Sequence, residues 1–315
     1  MNKVNKYIMA ALTSVSLFFT AVSLAGEKVD ATLPSSGVNA VTVENLSGEV
    51  IIIGWDKDSV TVKGELDDKA EKLIFEKEGK TINIKVDLPN HGSWNTKGSD
   101  LTIHMPAHLR LNFESVSSDV ELKNLTNNIT VKTVSGDIKA TEIGDRIELS
   151  SVSGSIRAKS LQGHINLSTV SGDIVDKDSV GSLQIQAVSG EIRSDSKANE
   201  VSINNVSGNT KLSLAEVDEL KATTVSGDTK VSLSLKNNGV VKASSVSGSV
   251  ELDFQNDVAA DFRLKANAGG DLINKLTNQK ADRAKYGPSS KLYFQTGDAN
   301  SSVSVNTVSG DVIVK

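Results

Sequence analysis

The stretch Val134-Ser-Gly-Asp-Ile-Lys-Ala-Thr-Glu-Ile-Gly-Asp-Arg-Ile-Glu-Leu-Ser-Ser151 is followed at once by Val152-Ser-Gly154, where the pattern starts again. The first four steps between successive triplets are 18 residues long, and the next two are 19 and 21. The triplet starts at Val134, Val152, Val170, Val188, Val206, Val225 and Val246, and again at Val308. A short fixed period over this length predicts a solenoid, in which each repeat is one coil that is buried only against its neighbours.

Within one repeat, apolar residues recur at the spacing of short strands. With Val134 as position 0, they stand at +4, +6, +9, +13 and +15, namely Ile138, Ala140, Ile143, Ile147 and Leu149. Alternation with period 2 predicts strands that bury one face, and identical strands in successive coils stack in parallel about 4.8 Å apart. The Val of each triplet is expected at a buried corner, with Ser and Gly forming the turn.

The predicted fold class is therefore all-β: a single-stranded parallel β-helix (β-solenoid) with about 18 residues per coil. Its predicted hand is right-handed, because parallel crossover connections almost always are.

The chain divides into four predicted parts. Residues 1–25 carry the basic start, apolar run and small-residue cleavage pattern of a secretory signal peptide. Residues 26–115 are predicted to form irregular N-terminal β coils and a cap, with strands at 41–43, 50–53, 60–63, 72–76, 81–86 and 101–104 and one helical turn at 67–72. Residues 116–255 form the regular β-solenoid with Val-Ser-Gly repeats, and residues 256–315 form C-terminal coils with an inserted loop at about 274–288.

Composition restricts the function classes. A net charge of −5 with interspersed acids and bases lacks the basic footprint of a nucleic-acid-binding protein. No segment after the signal peptide is apolar enough for a transmembrane helix, and the chain has no cysteine for lipid attachment. These features predict an exported protein, with the periplasm favoured over the cell surface or secretion.

No constellation of residues predicts a catalytic, cofactor-binding or metal site. Acids at +3, such as Asp137 and Asp173, are interrupted by neutral residues, whereas a calcium ladder needs a ligand on every coil. His104 and His108 have the spacing of helical metal ligands, but Pro106 and the surrounding alternation predict a strand and a turn. A mostly basic stripe at +5 runs beside the acids, which predicts charge pairing; the alternative is a lattice for an anionic polymer.

The segment Thr102-Ile-His-Met-Pro-Ala-His-Leu-Arg-Leu111, the serial Val-Ser-Gly-Asp-Ile units and the terminal Thr307-Val-Ser-Gly-Asp-Val-Ile313 resemble a bacterial family of exported β-helical repeat proteins. Its members are labelled "putative adhesin" or domain of unknown function. The resemblance implies a right-handed β-helix in the cell envelope. It implies no catalytic residues.

The leading hypothesis is a non-enzymatic exported β-solenoid scaffold, an adhesin or binding protein of the bacterial cell envelope. Its candidate partners are an envelope polysaccharide or another protein. One alternative is a polysaccharide-active enzyme whose site would form where the loops at 90–99 and 274–288 meet. Another is an envelope-stress or signalling accessory protein that binds a membrane partner.

Overall fold

A computed structural model describes residues 26–89 and 97–315, so the predicted signal peptide and most of the 90–99 loop lie outside the described residues. The described residues form 24 strands and no helix. The strands expected before residue 115 are all present. The helical turn expected at 67–72 is wrong, because this segment forms a non-helical turn in which the Ala70 N–H donates to the Asp67 carbonyl (2.9 Å).

In chain order the strands are β1 (Lys28–Pro34), β2 (Ala40–Trp55), β3 (Ser59–Glu65), β4 (Lys72–Glu78), β5 (Thr81–Asp87), β6 (Asp100–Pro106), β7 (Arg110–Leu125), β8 (Ile129–Thr133), β9 (Ile138–Ser151), β10 (Ile156–Lys159), β11 (Gln162–Thr169) and β12 (Ile174–Lys177). They continue with β13 (Val180–Ser189), β14 (Ile192–Ser196), β15 (Glu200–Ser207), β16 (Thr210–Ser226), β17 (Thr229–Ser247), β18 (Val250–Phe254), β19 (Ala260–Ala266), β20 (Leu272–Asn274), β21 (Asp282–Arg283), β22 (Ser290–Gln295), β23 (Ser301–Ser309) and β24 (Val312–Val314).

The strands stack into two parallel ladders, and the long strands turn the corner to join both. The front ladder runs β5, β2, β7, β8, β9, β11, β13, β15, β16, β17, β23, β19. The back ladder runs β6, β2, β7, β9, β10, β12, β14, β16, β17, β18, β24, β20. In the middle of the back ladder Ile138, Ile156, Ile174 and Ile192 are aligned, each 18 residues after the last.

Both ends of the sheet depart from the predicted all-parallel arrangement. Strand β1 pairs antiparallel with β3, and β3 with β6; β4 pairs antiparallel with β5, and β22 with β19 and β21. The sheet is therefore mixed. Local chain reversals supply these strands, and they cover the backbone donors and acceptors that a parallel edge would leave free.

The coils do not stack in strict chain order. The last coil, β23 and β24, lies directly on β17 and β18, so that Val308 stands opposite Val246. Strands β19 and β20 pack outside it, although they precede it in sequence. Likewise β2 lies between β7 and the pair β5 and β6. The expectation that the terminal Val-Ser-Gly coil belongs to the rod is confirmed.

The core consists of the predicted apolar positions, but the corner valines are not part of it. Ile138, Ala140 and Leu149 are fully buried, whereas the valines of the triplets are 42–48% exposed. The expectation of a buried Val is wrong because strand alternation continues through the corner. The side chains at +13 and +15 point inward, and so does the side chain at +17, which directly precedes the Val of the next triplet. Thr133, at that last position, is 5% exposed, and Val134 therefore faces outward.

The Gly of each triplet is required by the close approach of successive coils. A Cβ atom on Gly154 would lie 1.9 Å from the carbonyl oxygen of Gly136, one coil earlier. The inward +17 residue completes the turn: the Thr169 hydroxyl accepts from the Gly172 N–H (3.1 Å) and donates to the Gly154 carbonyl (3.1 Å). A buried hydroxyl thus satisfies two buried backbone groups.

Candidate functional site

The acids at +3 hold the backbone of the next coil. The Asp137 carboxylate accepts from the Ser155 N–H (2.8 Å), and the Asp228 carboxylate accepts from the Ser249 N–H (2.9 Å). The neutral amide of Asn209 does the same for the Asp228 N–H (3.0 Å). In these coils the position uses an acceptor oxygen, which Asp and Asn both supply, and it does not require a charge. This explains why the column of acids is interrupted.

Because these carboxylates bind backbone N–H groups, they offer few free oxygen atoms as ligands for a cation. Residues 26–89 and 97–315 contain no group of three or more His, Cys, Asp or Glu side chains arranged to hold a metal ion. Burial acts to raise the pKa of Asp137, but the Ser155 N–H and the Arg157 guanidinium outweigh it and lower the pKa below its ordinary value. The ionised form is thus stabilised by groups of the chain itself.

The basic stripe at +5 forms the predicted charge pairs. Arg157 contacts Asp137 (2.9 Å), and Lys139 and Lys123 both contact Glu121 (2.9 Å each). These two lysines lower the pKa of Glu121. The charges of Lys123, Lys139 and Arg157 are therefore balanced by acids of the chain itself.

The two histidines of the sequence motif lie in different elements. His104 lies in β6 and its ring packs against the Trp55 ring, with centroids 5.1 Å apart. His108 follows in the turn after the strand. The predicted strand and turn are confirmed.

The C-terminal insertion is an ordered excursion between β20 and β22. The Asn274 side chain accepts from the N–H groups of Leu276 (3.0 Å) and Thr277 (3.1 Å), which closes the first turn. The Gln279 amide donates to the Tyr293 carbonyl (2.8 Å) and ties the loop to β22. Strand β20 ends at Asn274 and β22 begins at Ser290, and the short β21 lies between them.

A cavity of about 300 Å³ lies between this insertion and the last strand of the back ladder. We call it the terminal pocket; its lining residues are Asp271, Leu272, Ile273, Lys280, Ala281, Arg283 and Ser290. Apolar side chains form one part of the lining, and two bases the other. The Arg283 guanidinium is paired with the Asp271 carboxylate, while Lys280 has no ion-pair partner among the described residues.

Two more exposed lysines of the insertion, Lys275 and Lys285, also lack an acidic partner within the described part of the chain. The Lys285 ammonium lies 5.4 Å from the centroid of the Tyr286 ring, which is 86% exposed. The end of the rod therefore carries apolar surface, an exposed aromatic ring and uncompensated positive charge. This combination suits an anionic ligand with an apolar portion.

The described end of the 90–99 loop, residues 97–99, lies far from the 274–288 loop. Ser99 lies next to β6 and Asn274 ends β20, at opposite ends of the back ladder. Eleven strand-to-strand steps separate β6 from β20. At about 4.8 Å a step this is roughly 50 Å. The shared active site of the enzyme hypothesis would need these loops in contact.

One ionisable group in the core escaped sequence reasoning. Asp176 is 2% exposed, and its carboxylate accepts from the Ser194 hydroxyl (2.8 Å) and from the Ser179 hydroxyl. Burial raises its pKa. The signal was present, because Asp176 occupies the +6 position where the two preceding coils carry Ala140 and Ala158. It is enclosed by the core.

Comparisons with known proteins give a family match and no assigned activity. No curated protein matches this chain. One similar solved structure, from Clostridium sporogenes, is described as a putative cell adhesion protein; it is 10% identical, and the alignment covers 92% of this chain and 99% of that chain with a TM-score of 0.23. No helix in the described ranges is long and apolar enough to cross a membrane. Residues 38–315 match the Toastrack DUF4097 family, whose function is unknown, and the chain belongs to this family.

Proposed function

We propose that the chain is a non-enzymatic, exported β-solenoid scaffold of the bacterial envelope that binds an anionic envelope polymer at its C-terminal end. In this proposal the coils are right-handed, as parallel crossover connections almost always are. They have about 18 residues each, as the central registers support. The signal-peptide pattern of residues 1–25 supports export, and the periplasm is the favoured compartment.

The observation that carries the proposal is the combination of unpaired positive charge with an apolar-lined cavity. Along the rod, Lys139 and Arg157 are matched by acids of the adjacent coil. The rod also has exposed lysines without an ion-pair partner among the described residues, and these lie on the strands of the ladders: Lys211, Lys221 and Lys242. At the terminal pocket, Lys280 lines the cavity together with Leu272 and Ile273. Lys275 and Lys285 belong to the same insertion, and all three lysines are exposed without acidic partners in the described residues. Carboxylate- or phosphate-bearing polysaccharide would provide the complementary charge.

The test is co-sedimentation of the purified chain with cell-wall polymer, before and after removal of its anionic substituents. Charge reversal of Lys275, Lys280 and Lys285 to Glu is expected to weaken binding at least about tenfold, which corresponds to ~1.4 kcal/mol. The matched control reverses three exposed lysines of the rod, Lys211, Lys221 and Lys242, and is expected to change binding less than about twofold.

Equal losses in the two triple variants would contradict a site at the terminal pocket. Retention of binding on polymer stripped of its anionic groups would contradict the proposed ligand class. Release of soluble saccharide from the polymer during incubation would contradict the non-enzymatic assignment.

A further inference from the structure

The outward valines of the triplets form one continuous apolar ridge. We call it the valine ridge; its members are Val116, Val134, Val152, Val170, Val188, Val206, Val225, Val246 and Val308. Each is 42–48% exposed, and strand registers place each one against the next along the front ladder. No described segment of the chain covers the ridge.

The columns beside the ridge are uncharged over most of its length. The position two residues before each Val faces outward on the same ladder and holds Ser150, Ser168, Gln186, Asn204, Thr223, Ser244 and Asn306. On the other side, Ser follows each Val. In a chain with 23% charged residues, three adjacent columns without a charge over seven coils form a distinct surface.

The exposed area is large for a monomer. A Val side chain that remains nearly half exposed leaves on the order of 65 Å² to solvent, so the nine valines expose roughly 600 Å², at the upper end of the largest apolar patch on typical monomers. A standard two-fold dimer buries about 800 Å² on each partner. The polar columns on both sides of the ridge can supply the remaining area.

We propose that the valine ridge is an interface between two copies of this chain. Side chains on the ridge repeat at the strand spacing of about 4.8 Å, and only a partner with the same repeat stays in register over nine coils. A second copy has that repeat. The uncharged columns also allow self-association without like-charge repulsion, which the charged face of the back ladder would not.

The first experiment is sedimentation equilibrium of the purified full chain. Substitution of Val152, Val170, Val188 and Val206 by Thr keeps the β-branched shape and replaces one methyl group by a hydroxyl group at each position. At about fourfold per methyl group, the dissociation constant of the dimer is expected to rise more than about 100-fold. Val175→Thr with Val180→Thr, at exposed valines outside the ridge, is the control and is expected to change it less than about twofold.

The second experiment uses the absence of cysteine from the chain. Val188→Cys, at the middle of the ridge, is expected to form an intermolecular disulfide under mild oxidation, whereas Val175→Cys on the back ladder is not. A wild-type chain that stays monomeric at about 100 μM would overturn the proposal, and so would equal cross-linking of the two cysteine variants. Loss of terminal-pocket binding by lysine reversal leaves the dimer intact, so the two proposals fail separately.

Discussion

Replacement of a ridge-side glycine tests why the triplet contains Gly. In Gly208, φ is +122°, and a Cβ atom would lie 2.2 Å from the carbonyl oxygen of Gly190 in the preceding coil. In Gly269, φ is +118°, but no atom lies within 4 Å of the same position. Gly208→Ala and Gly269→Ala therefore share the strain of a left-handed backbone, about 1–2 kcal/mol, and differ in contact between coils.

The extra cost at Gly208 follows from the geometry. A Cβ contact below 3.0 Å is not tolerated, so the two coils must separate by 3.0 − 2.2 = 0.8 Å. The bonds from the Gly190 N–H to the Ser207 carbonyl (3.1 Å) and from the Ile192 N–H to the Asn209 carbonyl (3.0 Å) would then exceed hydrogen-bond distance. Two lost bonds at about 1–1.5 kcal/mol each give an additional destabilisation of about 2–3 kcal/mol.

Urea unfolding followed by circular dichroism measures the free energy of unfolding of both variants. Hydrogen exchange of peptides from β14, β15 and β16 locates the damage. We expect Gly208→Ala to be the less stable variant, with faster exchange confined to the neighbouring coils, because each coil contacts only its neighbours. Equal stability of the two variants would show that the contact between coils does not determine the residue.

Three further predictions concern single side chains. Thr169→Val is expected to cost about 2–3 kcal/mol in the urea experiment, since the N–H of Gly172 loses its acceptor, while Thr223→Val on the outer surface stays within about 0.5 kcal/mol. Asp176→Ala is expected to gain stability relative to the wild type as pH rises above about 4. The raised pKa of Asp176 stabilises the wild type fully at pH values below the pKa of the unfolded state. This contribution is lost as pH rises through the pKa of the folded state. Asp178→Ala should lose stability relative to the wild type as pH rises, because the bond to Lys197 lowers the pKa of Asp178. The same pH trend in the melting of both variants would refute the opposite pKa shifts of Asp176 and Asp178.

The interior of the central coils could be predicted from period alone. Apolar residues at all five positions face inward in the coils that start at Val134 and Val152, and +4, +13 and +15 stay apolar and buried in the next two coils. Arg157 at +5 pairs with Asp137 at +3, as the charges of the two stripes suggest. The outward orientation of the triplet Val could also have been predicted. Side chains at +13 and +15 face inward, so strand alternation places +17 inward and the next residue, the Val, outward. Hydrophobicity suggested a buried Val, but the alternation of the strand determines its direction.

The stacking order of the coils at the two ends could not be predicted from the repeat period. Pairing of β23 with β17 joins residues such as Val246 and Val308, which are 62 positions apart, and no period spans the insertion between them. One clue was available, since Thr307-Val-Ser-Gly-Asp311 copies the regular coils more closely than any segment of 256–300. The terminal pocket was only partly foreseen. The basic loop was located, but its apolar lining comes from β20.

The turns change character at Ala187. In the three preceding coils the inward +17 residue is Thr133, Ser151 or Thr169, whose hydroxyl accepts from the turn Gly N–H. Ala187 has no hydroxyl, and the Gly190 N–H donates instead to the Ser207 carbonyl of the next coil (3.1 Å). The later turns keep this second arrangement, with positive φ at their glycines and coils of 19 and 21 residues.

These causes separate the constant residues of the repeat. Gly is required by the contact between coils, the inward hydroxyl by a buried N–H in the early turns, and the +3 acceptor by the backbone of the next coil. The outward Val meets no comparable requirement, because Thr would provide the same β-branched packing at a solvent-exposed strand position. Yet Val occupies this position in nine stacked coils through both turn types. The fold does not require this constant apolar residue, so we infer that a contact between the valine ridge and a second copy of the chain does. The valine ridge is therefore the first surface to mutate.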